Sequence, residues 1–256
     1  MIGRYRVSIN NIQLDTVDDR ILIENVQYPE PNVSRTVETL GSRDGGIVTR
    51  RHKQKAEASI TFSANVYGTE ERLDVIQKVI RWMNSGKVLR INDRNLTHLS
   101  HAIPEVYPAI NVRDWTEPMT ITFSDYVFPY WEDDEETVIN IAAGTNKSGS
   151  ITIPGSTEET YLNAEITAGA SVTWIKVISG DYMIHLTNLS LSSGNVVTID
   201  HDDEMNLRIR KGTTSLLAKR TAASSDDLMA KIGTSSINVQ ASGSVSSVIK
   251  ARGCWM

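Results

Sequence analysis

Two histidines, His98 and His101, stand three positions apart, and imidazole nitrogen is a common ligand of zinc. On a helix this spacing would place both rings on one side, where they could hold one metal ion. Residues 92–100 lack a helical pattern, however, and no third ligand lies nearby in the sequence. We therefore predict two polar histidines in a loop or a strand, and no metal site.

The run at residues 200–204, Asp-His-Asp-Asp-Glu, is rich in oxygen ligands. Calcium binds carboxylate and carbonyl oxygens, so such a run could supply several of its ligands. The run, from Asp200 to Glu204, lacks the glycine bend and the distal glutamate of an EF-hand loop. Asp202 and Asp203 are therefore predicted to be turn residues between two strands.

The run at residues 50–55, Arg-Arg-His-Lys-Gln-Lys, is strongly basic. It could contact phosphate groups through charge alone. No aromatic residue interrupts it, and Asp44 and Glu57 lie on either side. We expect a solvated hairpin arm, or a surface that meets an acidic neighbouring subunit.

Motifs of nucleophilic and nucleotide chemistry are missing: the sequence has no G-x-S-x-G, no P-loop, no dinucleotide-binding glycine motif and no H-E-x-x-H. Paired carboxylates for glycoside cleavage can come from distant positions, so that chemistry stays open. The acidic run at residues 132–136 is a poor candidate, because a catalytic acid needs burial to tune its pKa. We predict no catalytic residue and no cofactor.

Tryptophan rings can stack on sugars, which makes Trp115, Trp131 and Trp174 candidates for a carbohydrate platform. Tryptophans of β domains belong more often to the core, and we adopt that interpretation. The single cysteine, Cys254, allows no disulfide within the chain and is predicted to be a free, partly buried thiol.

Charge excludes one broad class of function. The chain has 256 residues with 26 basic and 31 acidic side chains, a formal charge of -5. The five acids at residues 132–136 equal that excess, so the rest of the chain is formally neutral. Without a net basic face, sequence-specific binding of nucleic acid is not expected.

Membrane insertion and secretion are not expected either. No apolar run approaches the ~20 residues of a membrane helix. The first nine residues contain Arg4 and Arg6 but no apolar segment of a signal peptide. We expect synthesis in a cytoplasm without use of the secretion machinery.

In the first half, residues 55–66 alternate strictly between apolar and polar, beginning the apolar set at Ala56 and ending it at Val66. That period of two predicts a strand with one face on a core and the other in water or against a partner. A β-branched segment at residues 33–40 and a glycine-rich turn at residues 41–46 precede this strand. Together with the strand at residues 55–66 they predict a long hairpin.

One amphipathic helix is predicted at about residues 70–84. Thr69 is its expected N-cap, and Glu70 and Glu71 suit the positive end of the helix dipole. Gly86 is expected to follow its end in the left-handed conformation. The stripe predicted to face the core comprises Leu73, Ile76, Ile80 and Met83, with Val79 beside it.

The second half is rich in Ser, Thr, Gly, Val and Ile and has recurring short strands, which predicts a β-sandwich. Pro129 and the acidic run mark a junction near residue 134. The predicted fold is therefore mainly β. A β-sandwich-like domain with one helix spans residues 1–133, and a second β-sandwich spans residues 134–256.

Four stretches follow one another along the chain in a characteristic order: residues 41–45 with the alternating strand 56–66; the helix 70–83 running into 87–91; residues 121–123 with 128–131; and residues 197–200, 231–233, 236–239 and 251–256. This order resembles the distal tail (Dit) family of long-tailed phages along almost the whole chain. Phe128 and Ile232 depart from the family pattern, because the family has an acidic residue and often a proline there.

This resemblance implies a structural virion protein, the baseplate hub at the tail tip. The N-terminal domain would form a ring, usually a hexamer, and the C-terminal sandwich, similar to galectin-like or carbohydrate-binding modules of jelly-roll type, would project outward. Implied partners are further copies of the chain, the tail tube protein, a tail-associated lysin or tail fibre, and receptor-binding proteins. The alternatives are a carbohydrate-binding module for host cell-wall glycans and a cell-wall hydrolase.

Overall fold

The structure is a computed structural model that describes residues 6–28, 33–39, 46–53, 55–91, 97–109 and 117–255. The chain divides into two compact units, Met1–Glu132 and Asp133–Trp255, called unit 1 and unit 2 below. Strands dominate both units, which confirms the mainly β prediction. No helix in the described ranges is long and apolar enough to cross a membrane.

Unit 1 combines three sets of paired strands with two helices. One sheet continues through β2-β1-β7-β8-β11, a second has the order β3-β6-β10-β9, and β4 pairs with β5 alone. The elements are β1 Val7–Ile9, β2 Ile12–Gln13, α1 Leu14–Val17, β3 Ile21–Gln27, β4 Val33–Thr39, β5 Gly46–Lys53, β6 Ala56–Ala64, α2 Thr69–Met83, β7 Leu89–Ile91, β8 Thr97–Leu99, β9 Ile103–Val106, β10 Met119–Asp125 and β11 Trp131–Asp133, which reaches the first residue of unit 2.

The alternating segment forms β6, and its apolar face is buried as predicted. Its hairpin partner was predicted wrongly. β4 pairs with β5 through the register Val33↔Lys53, whereas β6 pairs with β3 and β10. The apolar alternation of β6 suits the middle of a covered sheet, because both of its neighbours add side chains to the same core.

Helix α2 lies where it was predicted, but both of its ends differ. Thr69 is the first helical residue, and Gly68 precedes it without a side-chain cap. Asn84 ends the helix by donating from Nδ2 to the carbonyl oxygen of Ile80 at 2.7 Å. Gly86 does not adopt a positive φ; a Cβ there would lie 1.9 Å from the Asn10 side chain. The buried face is also rotated, with Leu73 and Ile80 only partly covered, and comprises Arg72, Val75, Ile76, Val79, Trp82 and Met83.

Unit 2 is one nine-stranded sheet that curls around a single apolar core. Its main path is β15-β14-β20-β13-β16-β17-β18, with β12 along β20 and β19 along β13. The elements are β12 Thr137–Ile153, β13 Thr160–Ala168, β14 Ile175–Ser179, β15 Tyr182–Leu186, β16 Val196–His201, β17 Leu207–Lys211, β18 Thr214–Ser215, a 3₁₀ turn Leu217–Lys219, β19 Met229–Ala230, β20 Gly233–Ala251 and β21 Cys254–Trp255.

The two long strands of unit 2 bend at the same level. The register between β12 and β20 breaks on either side of Gly144, opposite the stretch from Ala241 to Val245. Before the bend β20 pairs with β14, and after it β20 pairs with β13. The same two strands therefore run through both halves of the curled sheet, which explains how one sheet builds a sandwich-like core.

Candidate functional site

The two histidines lie in unit 1 and face different carboxylates. His98 in β8 places Nε2 3.9 Å from Glu132 Oε2, and His101 places Nδ1 3.7 Å from Asp125 Oδ2. Asp125 is fully buried and accepts hydrogen bonds from the backbone N–H groups of His101 and Phe128. Burial raises the pKa of Asp125, and these hydrogen bonds oppose that rise. No group of three metal-binding side chains occurs among the residues that the structure describes.

The oxygen-rich run is occupied by hydrogen-bond donors. Asp200 in β16 accepts from two arginines of β17, with Arg210 Nη2 at 2.8 Å. Asp202 Oδ1 accepts from the backbone N–H groups of Glu204 at 3.0 Å and Asn206 at 2.9 Å. The bonds from Asn206 hold the pKa of Asp202 below its ordinary value. The carboxylates of Asp200 and Asp202 therefore already bind N–H groups, and Asp202 lies in a turn between two strands, as predicted.

The basic run divides between a hairpin and an ion cluster. Its first four residues belong to β5. Lys55, at its other end, places Nζ 2.7 Å from a carboxylate oxygen of Glu57 and 2.7 Å from one of Glu105. Lys55 lowers the pKa of Glu105 to about 2, and the hydroxyl of Tyr126 donates to the same carboxylate. The charge of Lys55 is therefore balanced within unit 1.

The acidic junction was predicted to be solvated, which holds for the exposed Glu135 and Glu136 but not for Asp133 and Asp134. Trp255 Nε1 donates to Asp133 Oδ1 at 2.6 Å, and Arg252 Nη1 donates to the backbone oxygens of Asp133 and Asp134. Burial raises the pKa of Asp133. The density of charge in this run predicted that its side chains are solvated. Their partners, Arg252 and Trp255, come from the end of the chain and could not be seen in the local sequence.

The tryptophans predicted as core or sugar platform differ in their surroundings. Trp131 is buried, as the core prediction required, and its ring meets Tyr28 edge to face at 5.3 Å. Trp174 is partly exposed on unit 2. Trp115 lies outside the described residues. Cys254 is buried more deeply than predicted, and its Sγ lies 3.3 Å from Thr160 Oγ1.

The strongest candidate surface is an apolar one on unit 1, which we call the β9 patch. It combines residues of the edge strand β9 with residues of the loop after β10. Eight of the twelve exposed large apolar residues of the described chain lie in unit 1, and five of them form this patch. The patch comprises Ile103, Val106, Tyr107, Tyr126 and Val127.

The sheet that carries the β9 patch is suited to contact on its outer face and edges. Its four strands are all antiparallel, and β3 and β9 have only one partner strand each within the described residues. The middle of the outer face bears hydroxyl pairs: Ser59 with Thr122 at 3.1 Å and Thr61 with Thr120 at 3.2 Å. Lys55 and Glu57, which form an ion cluster with Glu105, lie at one end of the same face. A contacting surface would therefore meet little unpaired charge in the middle of this face.

Comparison with known proteins agrees with this architecture. No protein family and no curated protein matches the chain by sequence. By structure, the chain is similar to the Dit protein of phage SPP1, described as a paradigm of the hub adsorption apparatus in phages that infect Gram-positive bacteria. The TM-score is 0.68 with 13% identity, over 98% of this chain and 99% of that one. The chain has the distal tail protein fold.

A second similarity is weaker. This chain also aligns with a chain of the phage P2 baseplate in its activated conformation with strontium. The TM-score is 0.45 and the identity is 12%. The alignment covers 97% of each chain. A TM-score of that size supports no argument on its own.

Sequence reasoning did not identify the β9 patch. Ile103 and Val106 stand in a short apolar stretch that looks like any core strand, and Pro104 gives only the signal of an edge strand. Which face of a short strand is covered depends on the distant strands that pack against it. The proline was the one available signal that this strand lies at an edge.

Proposed function

We propose that the chain is a structural distal tail protein, the baseplate hub that joins a phage tail tube to its adhesion apparatus. The distal tail fold over nearly the full chain supports this role. In this proposal unit 1 forms the ring and unit 2 carries adhesion components. The protein acts as a scaffold rather than an enzyme, since the carboxylates described above are engaged by donors of their own unit.

The observation that carries the proposal is the β9 patch. Of its five exposed apolar side chains, two lie in β9, one directly after it and two in the loop after β10, so the exposure is concentrated rather than scattered. Burying apolar area stabilises association by roughly 25 cal/mol per Å². Unit 1 is therefore the half that gains most from contact with another copy.

The strand order allows that contact to repeat. In a four-stranded antiparallel sheet the two edge strands run in opposite directions, so β9 of one copy can lie antiparallel to β3 of the next. A contact between two different surfaces of one chain is heterologous, and it closes into a ring when the rotation fits. We expect a ring of six, in line with the resemblance of the sequence.

The β4–β5 hairpin supports the same arrangement. It belongs to neither sheet of unit 1 in the described residues, and an isolated two-stranded hairpin is marginally stable in water. The two strands carry a formal net charge of +3, because they contain four basic residues and one acidic residue. These are Arg35, Arg50, Arg51, Lys53 and Glu38. We expect an acidic surface of a neighbouring subunit to hold it.

The remaining partners follow from the same proposal. The ring would meet the tail tube protein on one side and a tail-associated lysin or tail fibre on the other, with receptor-binding proteins around unit 2. The site of action would be the tail tip of the virion, after synthesis in the cytoplasm of the host bacterium.

Light scattering after gel filtration, with negative-stain imaging, tests the proposal. The wild-type chain should form a ring with a central hole. Val106→Asp should shift it to smaller species, whereas Val138→Asp on unit 2 should not. Val106 and Val138 are each 47% exposed, so the two variants are matched for exposure. A chain that stays monomeric at high concentration would contradict the proposal.

A further inference from the structure

One outer face of unit 2 carries planar polar side chains beside an indole ring. It is built by four neighbouring strands in the order β15-β14-β20-β12. Strand register places one polar residue of each strand in a single line, which we call the polar row and which spans about 14 Å at the usual strand spacing. The polar row comprises His185, Lys176, Gln240 and Asn146.

Apolar side chains flank the polar row on both sides. On one side the Trp174 ring meets the His185 ring edge to face, with 6.1 Å between their centroids. On the other side Met183 and Ile178 are register partners. They lie two residues away from His185 and Lys176 on β15 and β14. All five side chains are partly exposed. The polar row therefore has an indole ring on one side. On the other side Met183 and Ile178 continue across the sheet into the polar residues Asn238 and Ser148.

Hydrogen bonds fix the amide groups of this face without a ligand. Gln240 Nε2 donates to Asn238 Oδ1 at 2.7 Å, and Asn238 Nδ2 donates to Asn146 Oδ1 at 2.9 Å. Asn238 Nδ2 also lies 2.8 Å from Ser148 Oγ. Gln240 Oε1 and Asn146 Nδ2 have no partner among the described residues, so an acceptor and a donor remain available in fixed positions. Groups fixed in advance lose less entropy when they bind.

Lys176 stands in the middle of the polar row without a counter-charge. It forms no ion pair with any residue in the described ranges, unlike Lys231 with Asp181 and Lys250 with Glu165 on the same unit. No residue of the polar row is acidic, and neither are Trp174, Met183 and Ile178 beside it. The ammonium group therefore offers three N–H donors that the fold itself does not use.

We propose that this face of unit 2 binds a saccharide. A sugar ring has an apolar C–H side and hydroxyl groups around its edge, so it needs an aromatic surface next to fixed donors and acceptors. The C–H side stacks on Trp174, and the hydroxyls bond to Lys176, Gln240 and Asn146. The inference goes beyond the hub proposal, because a scaffold does not require a sugar site.

Saturation-transfer NMR on the full-length chain tests this proposal. The probes are glucose, galactose, N-acetylglucosamine, rhamnose and glucuronate, each titrated into the millimolar range that single sugars require. At least one should bind saturably. Trp174→Ala and Gln240→Ala should each weaken that binding by about tenfold or more. Thr152→Ala should leave it unchanged, because Thr152 lies on the same outer face, six positions along β12 from Asn146.

Failure to bind any of the five sugars would overturn the proposal, and so would binding that both variants leave unchanged. Gln240→Ala removes only a partly exposed amide, so it keeps the test open if Trp174→Ala unfolds. Ring formation is measured on the same samples by light scattering. An intact ring without sugar binding would overturn this inference alone, whereas sugar binding by a monomer would contradict the hub proposal alone.

Discussion

Trp255 Nε1 donates a 2.6 Å hydrogen bond to Asp133 Oδ1, although 122 positions separate the two residues. The indole also covers Gly155, which has a φ of +73° and where a Cβ would lie 2.4 Å from the ring. Arg252 adds hydrogen bonds to the backbone oxygens of Asp133 and Asp134. The first residues of unit 2 are thus fastened by the segment that leads into and forms β21.

Trp255→Phe should destabilise unit 2. The substitution keeps most of the ring contact with Gly155 but removes the donor to a partly buried carboxylate, which costs about 2 kcal/mol. Urea unfolding followed by circular dichroism measures the loss. Trp174→Phe, at a partly exposed ring on the same unit, is the control and should cost less. An equal loss in both variants would argue against a special role of the Asp133 bond.

The pH dependence of stability should reveal the buried state of Asp133. Its pKa is raised by burial, so the folded chain holds this proton more tightly than the unfolded chain. Its contribution to the free energy of unfolding therefore decreases as pH rises from near 3.8 through the raised pKa. Asp133→Asn should remove this part of the slope. Thermal unfolding measured across that pH range is the check, and an unchanged slope would contradict the assignment.

Asp18 should show the opposite sign. Its side chain is 4% exposed and accepts from Arg20 at 2.7 Å and Lys78 at 2.9 Å. The hydrogen bond from Arg20 holds the pKa of Asp18 well below its ordinary value of 3.8. The stabilisation is present above that value and is lost as pH falls toward the folded pKa. Asp18→Asn should cost unit 1 about 2 kcal/mol at neutral pH.

The loss from Asp18→Asn should shrink near pH 3, because the unfolded wild-type chain then protonates Asp18 whereas the folded chain still keeps it ionised. Asp74→Asn is the control, because Asp74 meets the same Arg20 and Lys78 but is 52% exposed. Water screens an exposed ion pair, so the loss of Asp74 should cost far less than the loss of Asp18. Urea unfolding at neutral pH and near pH 3 compares both variants with the wild type. If Asp74→Asn proved as costly as Asp18→Asn, burial would not be the deciding factor.

Gly243→Ala should be among the costly single-methyl changes in unit 2. A Cβ at residue 243 would lie 2.4 Å from the backbone oxygen of Ser171, and backbone cannot move aside cheaply. We expect a loss of about 2 kcal/mol or more. Gly149→Ala is the control, because its nearest atoms, at 3.0 Å or more, belong to flexible isoleucine side chains. Differential scanning calorimetry compares the two, and a similar melting temperature would contradict the expectation.

Elements set by local periodicity could be predicted from the sequence. The alternating strand β6 appears where it was expected, because one buried face imposes a period of two. Helix α2 was located to within a residue, but its N-cap was not, since Gly68 and Thr69 are both acceptable caps. The helix α1 Leu14–Val17 was not predicted, because four residues are too few to show a period.

Features that depend on distant pairing could not be predicted. The polar row takes single residues from four strands, and no local pattern links Asn146 to Gln240. The acidic junction looked solvated, since nothing near it in the sequence shows that Arg252 and Trp255 return to it. The hairpin partner of β4 was missed for a similar reason: two β-rich segments, β5 and β6, follow one another, and strand register alone decides between them.

The long paired strands of unit 2 have a consequence for its synthesis. β20 lies between β12 on one side and β13 and β14 on the other, yet it leaves the ribosome after all three. Until β20 emerges, the earlier strands lack their central neighbour and expose unpaired edges. Unit 2 is therefore expected to acquire its fold late in translation, and a nascent chain stalled before residue 233 should remain sensitive to protease in this half.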